Sequence, residues 1–184
     1  PSAAIVVDVQ NDFCPVGALA VPKGGEVVPV INRTLALGVF SHVVMTLDWH
    51  PKNHCSFIEN GGQWPKHCVE FTRGADLHPG LKLDGQEHYL YVVKGIEPNR
   101  EAYSGFQGNI DLVRCFNNLD IKQIYVCGLA LDYCVKATAL DAQKAGFETF
   151  VIIDACRGVN QENSDKAIKE MEAAGIKIIS SNEI

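Results

Sequence analysis

The chain has 184 residues, 47% of them hydrophobic and 21% charged, the balance of an ordinary globular fold that needs no disulfide or structural metal to hold it together. Sixteen basic against 22 acidic residues give a formal net charge of −6, and the basic residues are scattered rather than gathered into a stripe, which excludes nucleic acid as an expected partner. Seven cysteines, an odd count without a CxxC pair, fit a reducing compartment better than a disulfide framework.

The first apolar run, Ala3 to Asp8, reads as a strand. It is too short for a secretory leader core or a membrane span, so a cytoplasmic protein with no membrane partner is expected. Asp8 closes the run, where a carboxylate either caps the next turn or does chemistry. Phe13 follows in a loop, and Val28, Ile31, Leu35 and Val39 then keep helical spacing.

The second strand, His42 to Asp48, runs into Asp48-Trp49-His50. A carboxylate and an imidazole two residues apart can grip one cation only if the chain leaves its strand there. The stretch from Pro51 to Leu81 carries no regular period, and a loop this long in a compact domain is usually functional. It supplies Trp64-Pro65-Lys66-His67. Asp48, His50 and His67 thus form a three-ligand set of the kind used by metals that keep open positions. His54, Ser56 and Glu59 stand unranked as further ligands, and His78 is expected to be structural.

The third strand, His88 to Lys94, ends on a lysine, which alone is weak evidence because lysines often snorkel from strand ends. Tyr103 and Phe106 are loop aromatics, and for Phe106 ordinary packing is expected. Phe13 and Trp64 lie near the expected chemistry in sequence, where flat walls suit a flat aromatic substrate. Ile110, Leu112, Val113, Phe116 and Asn117 keep helical spacing.

The fourth strand, Gln123 to Gly128, leads into a helix from Asp132 to Ala142, with Asp132 as its N-cap. Cys134 then sits in the first turn, where the macrodipole and free N–H groups favour a thiolate and an oxyanion, making it the most reactive of the seven cysteines. Cys127 and Cys156 read as inert core residues. A fifth strand, Thr149 to Asp154, a helix from Ser164 to Ala174 stopped by Gly175, and a sixth strand, Lys177 to Ser180, complete the chain.

Strand and helix alternating in this way predict an α/β fold: a doubly wound, mostly parallel six-stranded sheet with helices on both faces, residues 1–184 forming one domain. Ligands in such sheets bind outside the carboxyl ends of the strands. Asp8, Asp48 with His50, Lys94 and Cys134 all fall on that edge.

The strings Val6-Val7-Asp8-Val9-Gln10-Asn11-Asp12-Phe13-Cys14, Gly17 to Pro22, Asp48-Trp49-His50-Pro51, His54-Cys55-Ser56-Phe57, Trp64-Pro65-Lys66-His67-Cys68, Lys94-Gly95, Tyr103-Ser104-Gly105-Phe106 and Gly128 to Val135 together resemble the nicotinamidases of the isochorismatase-like cysteine hydrolase superfamily. The resemblance implies a triad of Asp8, Lys94 and Cys134, and one divalent metal on Asp48, His50 and His67, with zinc in first place and iron or manganese as alternatives. It also implies an oxyanion hole from the N–H groups of Ala130 and Cys134, a cis peptide at Leu129–Ala130, and a substrate site including Phe13, Trp64 and Tyr103. The activity implied is hydrolysis of nicotinamide to nicotinic acid and ammonia through a thioester, in NAD salvage, with pyrazinamide as a second substrate. A homo-oligomer is left open. Two rival readings are an amidase of the same superfamily acting on a carbamoyl compound or ureide, and a non-catalytic metal-binding module on the same fold.

Overall fold

A computed structural model describes residues 1–184. Six strands, β1 (Ser2–Val7), β2 (His42–Asp48), β3 (Tyr89–Lys94), β4 (Gln123–Leu129), β5 (Glu148–Arg157) and β6 (Lys177–Ile179), form one sheet in the order β3-β2-β1-β4-β5-β6. Every pairing is parallel. Strands β1 and β2 are buried almost throughout, which is why their sequences are mostly apolar without regular polar alternation. No helix is long and apolar enough to cross a membrane.

The helices are α1 (Val27–Leu35), α2 (Leu112–Asn118), α3 (Lys136–Lys144) and α4 (Gln161–Ala173). Right-handed crossovers send α1, which leads leftward from β1 to β2, to one face, and α3 and α4, which lead rightward from β4 to β6, to the other. Helix α1 buries Val28, Ile31 and Leu35 as its spacing predicts. Val39 does not join them: the chain turns at Gly38 (φ 68) and leaves Val39 49% exposed. A sequence period cannot register a helix that stops one turn early.

Asp132 also departs from its expected role. The helical segment begins one residue earlier, as a single π turn over Leu131–Val135 that runs into α3. The flanking residue is Ala130, whose carbonyl accepts from Tyr133 N–H at 3.0 Å and Val135 N–H at 3.1 Å. Asp132 does not cap this helix; its carboxylate accepts the N–H groups of Val159 (3.0 Å) and Asn160 (3.2 Å), tying the turn that bears Cys134 to the loop after β5. A π turn of this kind is often found at functional sites. Strand β5 also runs past its predicted end at Asp154 to Arg157, through an irregularity in its register against β4.

The order of the strands reverses between β1 and β4, which opens a crevice beyond their carboxyl ends. The site is found there.

Candidate active site

Four strand ends bring the charged residues together. In the β2–β3 ladder Asp48 lies opposite Lys94, so both side chains leave the sheet at one level. Asp8 arrives from β1 with its backbone in the left-handed region (φ 50), which ends the strand and keeps the carboxylate inside. Lys94 Nζ donates to Asp8 Oδ2 at 2.8 Å and to Asp48 Oδ1 at 2.6 Å, and lies 3.4 Å from Cys134 Sγ. Lys94 and Asp8 are fully buried, and Cys134 is buried beside them.

A buried ammonium survives only because two carboxylates face it. Burial alone would lower Lys94, but Asp48 and Asp8 outweigh it and hold the ammonium well above the ordinary lysine value. Burial pushes the Asp8 carboxyl up, against the pull of Lys94. Burial would raise Asp48 as well, yet the Lys94 ammonium beside it favours its anion and holds it below the usual carboxylate range. Thr46 Oγ1 donates to Asp8 Oδ1 at 2.6 Å, so Asp8 has a fixed donor on each oxygen.

The thiol differs from its sequence expectation. Burial pushes Cys134 well above the ordinary thiol range, Lys94 opposes, and the negative charges of Asp8 and Asp48 add to the rise. Burial therefore favours the neutral thiol, and forming a thiolate calls for a base beside it. Asp8 is that neighbour: ligand atoms of Asp8, Asp48 and Cys134 lie within 4.8 Å of one another. That trio is no metal site, because the Lys94 ammonium already bonds two of its members.

Asp48, His50 and His67 form a second group within 4.8 Å, all three buried. Beyond β2 the chain pairs with residues 68–70: His50 N–H donates to Cys68 C=O at 2.9 Å, and Glu70 N–H to His50 C=O at 2.8 Å. This bridge carries His67 to His50. The Nδ1 of His50 bonds Gly95 C=O at 2.8 Å and the Nδ1 of His67 bonds Pro65 C=O at 2.7 Å. A carbonyl only accepts, so each Nδ1 carries the hydrogen and each Nε2 presents its lone pair, the usual arrangement behind metal-ligating imidazoles. Those Nε2 atoms face Asp48 Oδ2 at 3.5 and 3.8 Å. Three lone-pair donors converging in a buried space are the donor set of a divalent cation that binds nitrogen and oxygen, and the residues fit one.

The unranked residues stand outside this set. His54 spends both ring nitrogens, on Ser56 Oγ (2.7 Å) and Arg100 C=O (2.9 Å), and stacks on His50 at 4.0 Å between ring centroids. Ser56 is thereby occupied, and Glu59 is exposed and paired with Lys66. His78 bonds Gly80 N–H within its own turn, and Phe106 packs edge-on to Phe116.

A cavity opens over Cys134, with Asp8, Asp48, His67 and Ala130 in its lining. Phe13, Trp64 and Tyr103 all border it. Phe13 packs against the His67 ring at 5.6 Å. Trp64 Nε1 donates to Tyr103 Oη at 3.2 Å, and its ring meets Tyr133 edge-on at 5.1 Å. Burial, with Glu101 assisting, pushes the Tyr103 hydroxyl up to about 12, so it is neutral. The peptide bond Leu129–Ala130 is cis. Sequence reasoning missed Tyr133 as a wall, although it adjoins Cys134, and missed Thr46 and Gln10, whose contacts are long-range and carry no local pattern.

The isochorismatase domain family matches residues 2–183. A nicotinamidase of Acinetobacter baylyi is 40% identical over 99% of this chain and 94% of its own length. Among solved structures, a pyrazinamidase of Pyrococcus horikoshii in complex with zinc is 44% identical, with a TM-score of 0.89 over 97% of this chain and 98% of that one. A protein of L. infantum in complex with nicotinate has 34% identity and a TM-score of 0.91, covering 98% of this chain and 93% of that one.

Proposed function

The chain belongs to the isochorismatase family, and from that membership and its buried cluster of charge we infer that it hydrolyses nicotinamide to nicotinic acid and ammonia, with pyrazinamide as a second substrate. The observation that carries the reading is Lys94 Nζ within reach of Asp8, Asp48 and Cys134 at once, beside the donor set of Asp48, His50 and His67. The product feeds NAD salvage. Residues 1–184 act as one domain.

Asp8 takes the proton of Cys134, and the thiolate attacks the carboxamide carbon. The carbonyl oxygen becomes an oxyanion received by the N–H groups of Ala130 and Cys134, while Lys94 balances the added negative charge. The C–N bond breaks and Asp8 returns its proton to the nitrogen, so that ammonia leaves and an acyl thioester remains. A water then gives its proton to Asp8 and attacks the thioester carbon. The C–S bond breaks, the sulfur recovers the proton, and nicotinic acid departs. Phe13, Trp64 and Tyr103 flank the ring and exclude water from it.

Asp48, His50 and His67 hold a divalent metal, zinc in first place, which when bound supplies a coordination position for the ring nitrogen of the substrate. Asp48 serves both halves of the site.

The deciding experiment incubates purified, metal-loaded and reduced protein with nicotinamide and measures ammonia. Release above background supports the reading. No release with nicotinamide but turnover of a carbamoyl compound or ureide would replace it with the rival amidase.

A further inference from the structure

Strand β1 ends before β2 does. Val7 is paired with Thr46, and Asp8 N–H still donates to Thr46 C=O at 3.1 Å. Asp8 then turns left-handed and its own carbonyl is taken by Gln10 N–H at 2.8 Å. Backbone groups of residues i and i+2 in a strand point to the same neighbour, so the N–H and C=O of Asp48 face the place where β1 should continue.

Gln10 fills that place with its side chain. Its Oε1 accepts Asp48 N–H at 2.9 Å, and its Nε2 donates to Asp48 C=O at 2.8 Å and to Ala75 C=O at 2.8 Å. Gln10 is fully buried. A primary amide offers one acceptor and two donors, all used here, in a plane that mimics a peptide group. Glutamate has no donor, asparagine is one methylene short, and methionine has neither donor nor strong acceptor.

We propose that Gln10 is a positioning residue for the metal: its amide stands in for the missing strand and fixes Asp48 so that one oxygen meets Lys94 and the other meets the cation. Asp48 is pinned at both its N–H and its C=O, so its Cα–Cβ bond cannot swing, and Oδ2 stays opposite the two Nε2 atoms. The bond to Ala75 adds the loop after His67 to the same anchor. This inference rests on the reading that Asp48, His50 and His67 hold a metal.

The test measures Zn(II) affinity by competition with a chromophoric chelator, at a temperature where circular dichroism shows each variant folded. Gln10→Met keeps length and loses all three bonds, while Gln10→Glu keeps the acceptor and sets an oxygen against two carbonyls. Both are expected to weaken zinc binding about ten- to a hundredfold. Thr149→Val is the control, a buried hydroxyl on Phe147 C=O in β5, away from the site. It should lower the melting temperature without changing the zinc Kd. Native-like Kd in either folded Gln10 variant overturns the proposal, as does an equal loss of affinity in Thr149→Val. If Asp48→Ala binds zinc as tightly as the native protein, the metal reading fails and takes this inference with it.

Discussion

Asp48 holds Lys94 through Oδ1 at 2.6 Å and turns Oδ2 toward the Nε2 atoms of His50 and His67. One carboxylate therefore links the reactive centre to the donor set. Lys94 in turn is shared between Asp48 and Asp8, so the cluster is held together by a single buried cation.

Removing that cation should be severe. Lys94→Met leaves two buried carboxylates without their partner, and breaking a buried pair on one side destabilises by about 3–5 kcal/mol. The fall should appear in urea unfolding of the metal-free protein, together with loss of ammonia release. A loss below about 1 kcal/mol would mean that water or rearrangement satisfies Asp8 and Asp48, contrary to their burial.

Cys134→Ala should abolish turnover while metal content stays at the native level, because in the proposed mechanism the sulfur is the attacking atom, and it lies outside the donor set. Cys127, fully buried in β4, is a different case. Cys127→Ala should lose about 1 kcal/mol of stability and keep its activity. Native-rate hydrolysis by Cys134→Ala would move the nucleophile elsewhere.

Gly95 offers a geometric test of the histidine set. It lies in the left-handed region (φ 65), and a Cβ there would sit 2.4 Å from Cε1 of His50. Gly95→Ala should push the ring off its bond to the Gly95 carbonyl and reduce metal affinity by about ten- to a hundredfold. Gly146 has a similar backbone (φ 98) with nothing within 4 Å of the added carbon. Gly146→Ala should therefore lose about 1–2 kcal/mol through backbone strain alone and bind metal normally. Equal metal contents in the two variants would refute the packing argument.

Substrate choice tests the metal's part. Benzamide shares the carboxamide and the flat shape of nicotinamide but has no ring nitrogen, whereas pyrazinamide keeps one at the equivalent position. A site built around such a polar anchor discriminates by roughly 10⁴. We expect nicotinamide and pyrazinamide far above benzamide in kcat/KM, with the gap collapsing in His50→Ala or after chelation. Equal rates for benzamide and nicotinamide in metal-loaded enzyme would remove the metal from ring recognition.

Much of the fold was legible because its cause is local. Buried parallel strands need unbroken runs such as Ile5-Val6-Val7 and His42 to Leu47, and those runs mark the strands to within a residue or two at most ends. Where a boundary depends on remote partners, the local signal misleads. Asp132 has the residue type of an N-cap and stands next to a helix, yet its carboxylate is claimed by Val159 and Asn160, some 27 residues away. Val39 keeps the period of α1 past the point where Gly38 has already turned the chain.

Residue order alone sets which side chains stand at the strand ends, and hence that carboxylates, imidazoles, an ammonium and a thiol meet on one edge of a parallel sheet. Tertiary structure decided what they do to one another. Burial raises the Cys134 thiol against the pull of Lys94, the Lys94 ammonium splits itself between Asp8 and Asp48, and the side chain of Gln10 completes the ladder that β1 abandons. The reason is physical: periodicity and chain order act over a few residues and are written locally. Desolvation and hydrogen-bond direction depend on atoms brought within 3–4 Å from distant positions, Lys94 and Asp8 being 86 residues apart, and exist only once the chain has closed around them.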